Sequence, residues 1–306
     1  MNILVTGGAG FIGSAIVDEY IAQGHSVVVL DNLSTGKKHN LHPKAHFYHD
    51  DIRSAGIESI LKKEHIEVIN HHAAQINVRT SVADPVGDAQ INIEGAINIL
   101  ESARRTDVKK IIFASSGGAI YGDASTIPTP EEYSPVKPAS PYGIGKYTVE
   151  HYLRFFHETY NLNYTALRYS NVYGPRQNDE GEAGVIALFL NAAINSKEII
   201  IYGDGTQIRD FVFVEDVVKA NCNVLISDYV GECNIGTGIG TDINSVVEQV
   251  SSILGTKLKK KYQSKRPGEV QKSILDRKKA QKVLHWQPST EFSNGLEKTY
   301  RWFEAR

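Results

Sequence analysis

A glycine-rich turn close to the start of the chain restricts the fold more than any other feature. Residues 3–5 have the apolar, β-branched character of a buried strand, and residues 12–23 show the periodicity of a helix. The turn Gly-Gly-Ala-Gly-Phe-Ile-Gly at residues 7–13 joins the two. A glycine triplet alone is weak evidence, but a triplet directly between a strand and a helix predicts a site for the phosphates of a dinucleotide.

Each glycine of this turn has its own task. Gly7 permits the tight turn, Gly10 lets backbone amides approach a pyrophosphate, and Gly13 lets the helix pack against the sheet. Phe11 and Ile12 open the helix, whose free N-terminal amides and positive dipole end would face the phosphates.

Strands and helices alternate through the first half of the chain. Strands are predicted at 3–5, 26–30, 47–49, 66–70, 110–114 and 164–167, and helices at 12–23, 89–106 and 142–160. This alternation is typical of a parallel, doubly wound (Rossmann) sheet. We therefore predict an α/β protein with a Rossmann domain at 1–172 and a smaller α/β domain at 173–210 and 237–306. Core-like strands at 211–214 and 233–236 predict that residues 211–236 cross back into the first domain.

Asp31 ends the second strand, 18 positions after Gly13. A carboxylate there can accept hydrogen bonds from both hydroxyls of an adenosine ribose, and it would repel a 2′-phosphate. The alternative is an Asp that only caps the following turn. Lys37 and Lys38 are the nearby cations that could favour a phosphate. The prediction is a site for NAD rather than NADP.

Tyr142 and Lys146 are four residues apart in a predicted helix, so their side chains share one face. A tyrosine with a pKa of about 10 is a poor base at neutral pH, whereas a neighbouring ammonium and the positive charge of a nicotinamide favour the phenolate. Such pairs are common on ordinary helices. After a glycine-rich turn and Asp31, however, this pair predicts a catalytic base and its partner.

Composition and charge exclude several other classes of protein. A formal net charge of -2 leaves no broad basic face for nucleic acid. Cys222 and Cys233 lack metal-ligand spacing, so we expect apolar fillers, no metal site and a reducing, cytoplasmic location. We also expect no membrane association, because no segment is long and apolar enough to span a bilayer and the first strand begins too early for a signal peptide.

The chain also resembles the UDP-glucose (UDP-galactose) 4-epimerase family of extended short-chain dehydrogenases/reductases, nearly from end to end. The glycine turn, Tyr142 and Lys146 are typical of the superfamily. Further matching stretches are 31–36 (Asp-Asn-Leu-Ser-Thr-Gly), 51–52 (Asp-Ile), 72–75 (His-Ala-Ala-Gln), Asn92, 167–176 (Leu-Arg-Tyr-Ser-Asn-Val-Tyr-Gly-Pro-Arg), 209–212 (Arg-Asp-Phe-Val) and 266–269 (Arg-Pro-Gly-Glu). The matches in the second half of the chain are typical of the nucleotide-sugar branch.

The resemblance implies inversion of C4 of a UDP-hexose through a 4-keto intermediate, with bound NAD and no net oxidation. Beside the glycine turn and Asp31, NAD would contact Asn32, Ser34, Thr35, Gly36, Asp51, Ile52, Ala73, Ala74, Gln75, Asn92, Ser115, Tyr142, Lys146 and Tyr169. The UDP-sugar would contact Ser116, Gly117, Tyr142, Asn171, Tyr202, Arg209, Arg266, Glu269 and Ser273, and the smaller domain would be the nucleotide-sugar-binding domain. From the residues alone, Arg209 and Arg266 could instead form ion pairs on the surface, and Tyr202 could instead be part of the core.

One position departs from the family pattern. The family usually has a Ser or Thr where counting back from Tyr121 gives Gly117, and that hydroxyl bridges the substrate and the tyrosine. Ser116 or a water could take its place, or Tyr142 could contact the substrate directly. Gly117-Gly118-Ala119 also lacks an ionisable group, whereas related dehydratases place an acid and a base in this segment.

Two alternatives stay open: another nucleotide-sugar enzyme on this scaffold (a dehydratase, reductase or decarboxylase), or a non-catalytic NAD-sensing protein. The second has no need of a Tyr/Lys pair. The resemblance further implies a homodimer whose interface is formed by helices 89–106 and 142–160. It also implies a gate beside the sugar 2′-substituent at Ser273, and this small residue predicts a pocket that admits N-acetylated hexoses.

Overall fold

The computed structural model describes residues 1–178, 184–265 and 270–306. Its strands are β1 (Asn2–Thr6), β2 (Ser26–Leu30), β3 (His46–Tyr48), β4 (Val68–His71), β5 (Lys110–Ser116), β6 (Asn163–Tyr169), β7 (Asn171–Tyr173), β8 (Ile199–Tyr202), β9 (Ile208–Phe213), β10 (Gly231–Ile235), β11 (Gly240–Asp242), β12 (Lys260–Gln263) and β13 (Lys272–Ser273).

The helices are α1 (Phe11–Ala22), α2 (Ile57–Lys63), α3 (Val78–Ala83), α4 (Pro85–Ala89), α5 (Gly95–Arg104), α6 (Gly117–Ile120), α7 (Pro141–Tyr160), α8 (Val185–Ile194), α9 (Val214–Leu225), α10 (Ile243–Leu254), α11 (Lys278–Val283) and α12 (Phe292–Glu304). A π-helical turn at Gln90–Glu94 joins α4 directly to α5, and Lys38–Asn40 forms a 3-10 turn. The predicted helix at 89–106 is thus part of a longer, interrupted helix.

Within the described residues, seven strands form one parallel sheet in the order β3-β2-β1-β4-β5-β6-β10. The chain winds outward from β1 in both directions, so the strand order reverses beside it. Ligands of such sheets bind in the crevice beyond the carboxyl ends of the strands at this point. The predicted doubly wound sheet is confirmed, and its crevice is where the glycine turn lies.

Helices cover both faces of this sheet. On one face, α1 and α9 pack together through Val17, Tyr20, Val217 and Val224. On the other, apolar residues of α2, α5 and α7 meet the sheet in a second buried cluster. In the part of the chain that the structure describes, no helix combines the length and apolar character needed to cross a membrane.

A smaller group of strands lies outside the large sheet. β9 pairs in parallel with β7 and β13 and antiparallel with β11, and β8 pairs with β12. Apolar side chains of α8, α10 and α12 pack with these strands around a third buried cluster. This is the second, smaller α/β unit that the sequence predicts.

The return of the chain to the large sheet differs in part from the prediction. β10 does extend the large sheet beside β6. β9, however, which includes residues 211–213 of the strand predicted at 211–214, belongs to the smaller sheet, where the rings of Phe211 and Phe213 pack against Tyr173 and Phe292. The crossing therefore begins with α9 rather than at residue 211, while the other domain bounds stay a prediction.

Candidate active site

The turn at residues 7–13 is shaped to receive phosphates. Gly7 has φ +70°, and a Cβ on it would lie 2.7 Å from the backbone nitrogen of Ala73 in the chain that follows β4. A Cβ on Gly13 would overlap the Gly7 carbonyl oxygen. Gly10, at the N-cap of α1, makes no side-chain capping bond, so the first amides of α1 can serve an anion. These features fit a dinucleotide pyrophosphate.

Asp31 lies where β2 ends and is 6% exposed. One carboxylate oxygen accepts a hydrogen bond from the Ala9 amide at 3.0 Å, and the other accepts one from the Leu33 amide at 2.8 Å. Asp31 thus caps the following turn, the alternative that the sequence left open. Each oxygen has a second lone pair, so the carboxylate can still accept hydrogen bonds from ribose hydroxyls. The two roles are compatible.

Asp51 ties together the loops that follow β2 and β3. Its carboxylate accepts hydrogen bonds from the Arg53 guanidinium at 2.7 and 3.0 Å and from the Asn32 amide at 2.9 Å. The Arg53 hydrogen bonds hold the pKa of Asp51 well below its usual range. Asn32 also accepts a bond from the Ser34 amide at 3.0 Å. The structure therefore brings together Asn32, Ser34 and Asp51, three of the predicted cofactor residues.

Gln75 and Asn92 form a hydrogen-bonded pair on the predicted cofactor groove. The Asn92 side chain accepts a bond from the Gln75 backbone amide and donates one to the Gln75 carbonyl, both at 2.9 Å. The two side-chain amides also share one oxygen of Asp88. Asp88 is not among the residues predicted from the sequence. It lies four residues before Asn92, however, and side chains with this spacing in a helix share one face.

Tyr142 is the second residue of α7. Ser140 caps this helix by accepting a hydrogen bond from the Gly143 amide at 3.2 Å, and Pro141 occupies the first turn. Burial raises the pKa of Tyr142 to about 12. The hydroxyl of Ser116, the last residue of β5, offsets only part of this rise.

Lys146 lies one turn further along α7 and is 5% exposed. Its ammonium donates a hydrogen bond to the Ala114 carbonyl at 2.8 Å and lies 5.8 Å from the centre of the Tyr142 ring. Burial lowers the pKa of Lys146 to about 8, which reduces the positive charge that it offers to the phenol. The lowering of the Tyr142 pKa that we expected from Lys146 is not found, because burial outweighs it.

A buried ion pair holds α7 against the large sheet. Arg168 of β6 and Glu150 of α7 meet at 2.6 Å. Ser115 donates its hydroxyl to the same Glu150 carboxylate, also at 2.6 Å. The Ser115 oxygen keeps lone pairs that can accept a hydrogen bond, so the predicted contact of Ser115 with the cofactor stays a prediction.

Another side chain fills the space beside Gly117. A Cβ on Gly117 would lie 2.6 Å from a methyl group of Leu275, which is 1% exposed. Beside Gly118, by contrast, the nearest atom to such a Cβ is Asn171 Oδ1, at 3.8 Å. Ser116 is therefore the residue that presents a hydroxyl to Tyr142, and Asn171 lies next to this segment.

Three predicted substrate residues lie on the smaller sheet. Ser273 of β13 is in register with Arg209 of β9, and Asn171 belongs to β7, which pairs with the other end of β9. Tyr202 ends β8 in the separate pair of strands and is half-buried. Two further predicted substrate residues, Arg266 and Glu269, lie outside the described residues.

The chain matches known proteins over most or all of its length. Residues 3–236 match the NAD dependent epimerase/dehydratase family. The chain is 41% identical to the UDP-glucose 4-epimerase of Mycolicibacterium smegmatis, over 100% of this chain and 99% of that protein. It also matches the crystal structure of a UDP-glucose 4-epimerase with UDP-glucose from Thermotoga maritima, with a TM-score of 0.98, 46% identity and coverage of 100% and 99% of the two chains. The chain belongs to the UDP-glucose 4-epimerase family.

An epimerase for a different sugar matches as well. The UDP-N-acetylglucosamine 4-epimerase from Methanobrevibacter ruminantium, in complex with UDP-N-acetylmuramic acid, has a TM-score of 0.94 to this chain and 38% identity, with 99% of this chain and 98% of that one covered. Proteins named for UDP-glucose and for UDP-N-acetylglucosamine therefore share the fold of this chain.

A buried polar network lies behind the groove of this epimerase family member. The Tyr169 hydroxyl accepts a hydrogen bond from the Asn221 amide at 2.9 Å and lies 3.1 Å from Nε2 of His72. Burial raises the pKa of Tyr169 and lowers that of His72 to about 3, so both side chains are uncharged at neutral pH. The contact of Tyr169 with the cofactor stays a prediction. Among the described residues, no group of three or more His, Cys, Asp or Glu side chains is placed to hold a metal ion.

Proposed function

We propose that the chain interconverts UDP-hexoses that differ in configuration at C4, with NAD as its resident cofactor. One observation carries the proposal: Tyr142 shares α7 with the buried Lys146, whose ammonium lies 5.8 Å from the centre of the Tyr142 ring. The glycine turn at the carboxyl end of β1 and the carboxylate of Asp31 fit the cofactor. Membership of the epimerase family supports the substrate class.

The residues of the site divide the proton transfer between them. Bound NAD supplies a hydride acceptor and donor, together with a positive charge that favours the Tyr142 phenolate. Tyr142 accepts the proton of the 4′-hydroxyl as C4′ loses its hydride, and Ser116 orients or relays this proton. Lys146 holds the nicotinamide ribose. Once the 4-keto sugar has turned over, Tyr142 gives the proton back to the 4′-oxygen, so that C4′ is inverted with no net oxidation.

The smaller unit supplies the substrate contacts in this proposal. Arg209 and Arg266 clamp the UDP pyrophosphate, a task that suits planar, bidentate guanidinium groups. Glu269 binds the uridine ribose, and Tyr202 lies beside the uracil. Asn171, adjacent to Gly118, contacts the phosphate and sugar.

A dehydratase is the rival that the site disfavours. Loss of water from the sugar needs an acid and a base beyond the Tyr/Lys pair. The segment that would carry them forms α6 and begins Gly117-Gly118-Ala119, which has no ionisable side chain. This chain therefore lacks the groups for elimination at that place.

Product analysis without added cofactor tests the proposed function. The purified protein is incubated with UDP-glucose in one reaction and with UDP-galactose in another, and the nucleotide sugars are separated by chromatography. We expect both reactions to reach the same mixture of the two sugars, with no loss of water and no accumulation of NADH. A dehydrated product would assign a dehydratase, and no conversion of either sugar would contradict epimerisation.

Replacing Asp31 with Ala is expected to reduce the preference for NAD over NADP about tenfold, because the carboxylate that repels the 2′-phosphate is lost. The measurement is the dissociation constant of each nucleotide on protein freed of bound cofactor. Asp31→Asn is the matched variant, since it removes the charge but keeps an oxygen that can accept a backbone hydrogen bond. A wild-type protein that prefers NADP would contradict the assignment of Asp31.

We propose a homodimer whose interface is formed by the helices over 89–106 and 142–160. The second of these, α7, exposes large apolar side chains: Ile144 is 51% exposed and Phe155 48%. Tyr152 and Tyr160 are also exposed on α7, and Val86 is exposed on α4, just before residue 89. Exposed apolar side chains on neighbouring helices are typical of an interface between subunits.

Phe155→Glu is expected to convert the dimer to a monomer at micromolar concentration, because it places a charge in the centre of the apolar surface. Phe155→Leu keeps the surface apolar and should leave the dimer intact. Multi-angle light scattering gives the mass in each case. A monomeric wild-type protein would refute the dimer.

The proposed place of action is the cytoplasm. Cys222 and Cys233 are free thiols in the described structure, as suits a reducing compartment. The interconversion of glucose and galactose configurations places the reaction in galactose metabolism.

A further inference from the structure

Asp88 is a buried carboxylate that none of the proposed steps uses. It lies on α4 and is 3% exposed. Its Oδ1 accepts a hydrogen bond from the side-chain amide of Gln75 at 2.8 Å. The same oxygen accepts a second hydrogen bond from the side-chain amide of Asn92 at 3.0 Å. Gln75 follows β4, whereas Asn92 lies in the π-helical turn. A single oxygen therefore fixes two separate segments of the predicted cofactor groove.

The other oxygen of Asp88 faces the helix that carries the reactive pair. A Cβ on Gly145 would lie 3.7 Å from Oδ2 of Asp88. Lys146 is the next residue, and Tyr142 lies three residues earlier on the same helix. Burial has the largest effect on the pKa of both, lowering that of Lys146 and raising that of Tyr142, and the charge of Asp88 raises the pKa of both.

The other charged or titratable groups near Tyr142 and Lys146 are either ion-paired or uncharged. Glu150, which also raises the pKa of Lys146, is ion-paired with Arg168 at 2.6 Å. Burial lowers the pKa of His71 and of His72 to about 3, so neither ring is charged at neutral pH. Asp88 is different, because its hydrogen bonds come from neutral amides that leave its charge uncancelled.

We propose that Asp88 is a positioning residue that couples the cofactor groove to the reactive pair. Its Oδ1 sets the amides of Gln75 and Asn92 against the cofactor, and its charge acts on Lys146 and Tyr142 across Gly145. The inference rests on the proposed function, which gives Lys146 and Tyr142 their roles. It adds a residue that acts through others and does not touch the reacting atoms.

Asp88→Asn separates the two effects, because it removes the charge and keeps an oxygen that can accept both amide hydrogen bonds. The pKa values of Lys146 and Tyr142 both fall when a neighbouring negative charge is removed. We therefore expect both limbs of the kcat–pH profile to move to lower pH by about half a unit to one unit. The amount of NAD retained on purification, measured on extracted nucleotide, should stay close to that of the wild type.

Asp88→Ala removes the charge and the acceptor together. It should shift the profile by the same amount and also weaken NAD retention, by about tenfold, because the two amides lose their shared partner. Asp84→Asn is the matched control. Asp84 is exposed and caps α4 by accepting a bond from the Gly87 amide at 2.9 Å, and Asn caps equally well. Asp84→Asn removes one negative charge, as Asp88→Asn does, and should leave the kcat–pH profile unchanged.

An Asp88→Asn protein whose profile has not moved would overturn the proposal, whatever its total activity. If that variant does not fold, Asp88→Glu serves in its place, because it keeps the charge and displaces the oxygen from the amides. It should keep the wild-type profile and lose NAD, and normal NAD retention would overturn the positioning role. An inactive wild-type protein would contradict the proposed function instead, while NAD retention would still report on Asp88.

Discussion

Replacing Tyr142 with Phe is expected to lower turnover at least about 100-fold, the usual scale for a positioned acid–base group. The change removes only the phenolic hydroxyl and leaves the ring in its place on α7. NAD should remain bound, because the glycine turn and Lys146 are unchanged. The rate of conversion of UDP-galactose to UDP-glucose measures the first effect, and the nucleotide extracted from the purified variant measures the second.

Tyr147 provides a matched control on the same helix. Its ring packs against His151 with 4.6 Å between ring centres, and it has no part in the proposed chemistry. Tyr147→Phe should therefore keep the turnover of the wild type. Near-normal turnover in the Tyr142 variant would remove this tyrosine from the mechanism, and loss of NAD together with turnover would show a structural defect instead.

Replacing Ser273 with Tyr is expected to exclude UDP-N-acetylhexosamines while it spares UDP-hexoses. Leu275, two residues beyond Ser273, packs against Gly117 in the catalytic segment. Side chains two residues apart in an extended chain point to the same side, so we expect Ser273 to point to the same side of the chain as Leu275. The register of Ser273 with Arg209 places it among the predicted substrate residues. A tyrosine there would overlap an N-acetyl group at the 2′ position.

The expected result is a fall of at least about 100-fold in kcat/KM for the N-acetylated sugars, and a change within about threefold for the plain hexoses. Ser273→Ala is the control, since it keeps the position small and should leave both substrate classes unaffected. Kinetics on UDP-glucose and UDP-N-acetylglucosamine measure the difference. Equal effects on both substrates would place the gate elsewhere.

The features that the sequence predicts correctly depend on neighbouring residues. The glycine turn joins β1 to α1, and Tyr142 and Lys146 share α7, because local periodicity and spacing determine both arrangements. The same local patterns predict the alternation that forms the large parallel sheet. They also place Asp31 at the end of β2, where its carboxylate accepts hydrogen bonds from backbone amides two and 22 residues away, while its cofactor contact stays a prediction.

The features that the sequence does not predict depend on contacts between distant segments. β13 has two residues, too few to show any period, and its pairing with β9 is decided by tertiary packing. The sequence also does not predict that burial raises the pKa of Tyr142, because the burial of this side chain follows from the whole fold. The contact of Leu275 with Gly117 spans 158 positions, and no motif marks Leu275 as part of the site.

That contact also restricts how such a site can change during evolution. A serine at position 117 would put its Cβ 2.6 Å from a buried leucine methyl group, so its arrival before any change at Leu275 costs packing energy. Shortening Leu275 first leaves a cavity, at a cost of about 2–5 kcal/mol. Neither substitution alone leaves the stability of the fold unchanged. Each substitution, however, removes the cost of the other. We expect sequences of this family to fall into two groups, one with glycine and a large apolar partner, the other with a hydroxyl residue and a smaller partner, and few intermediates between them.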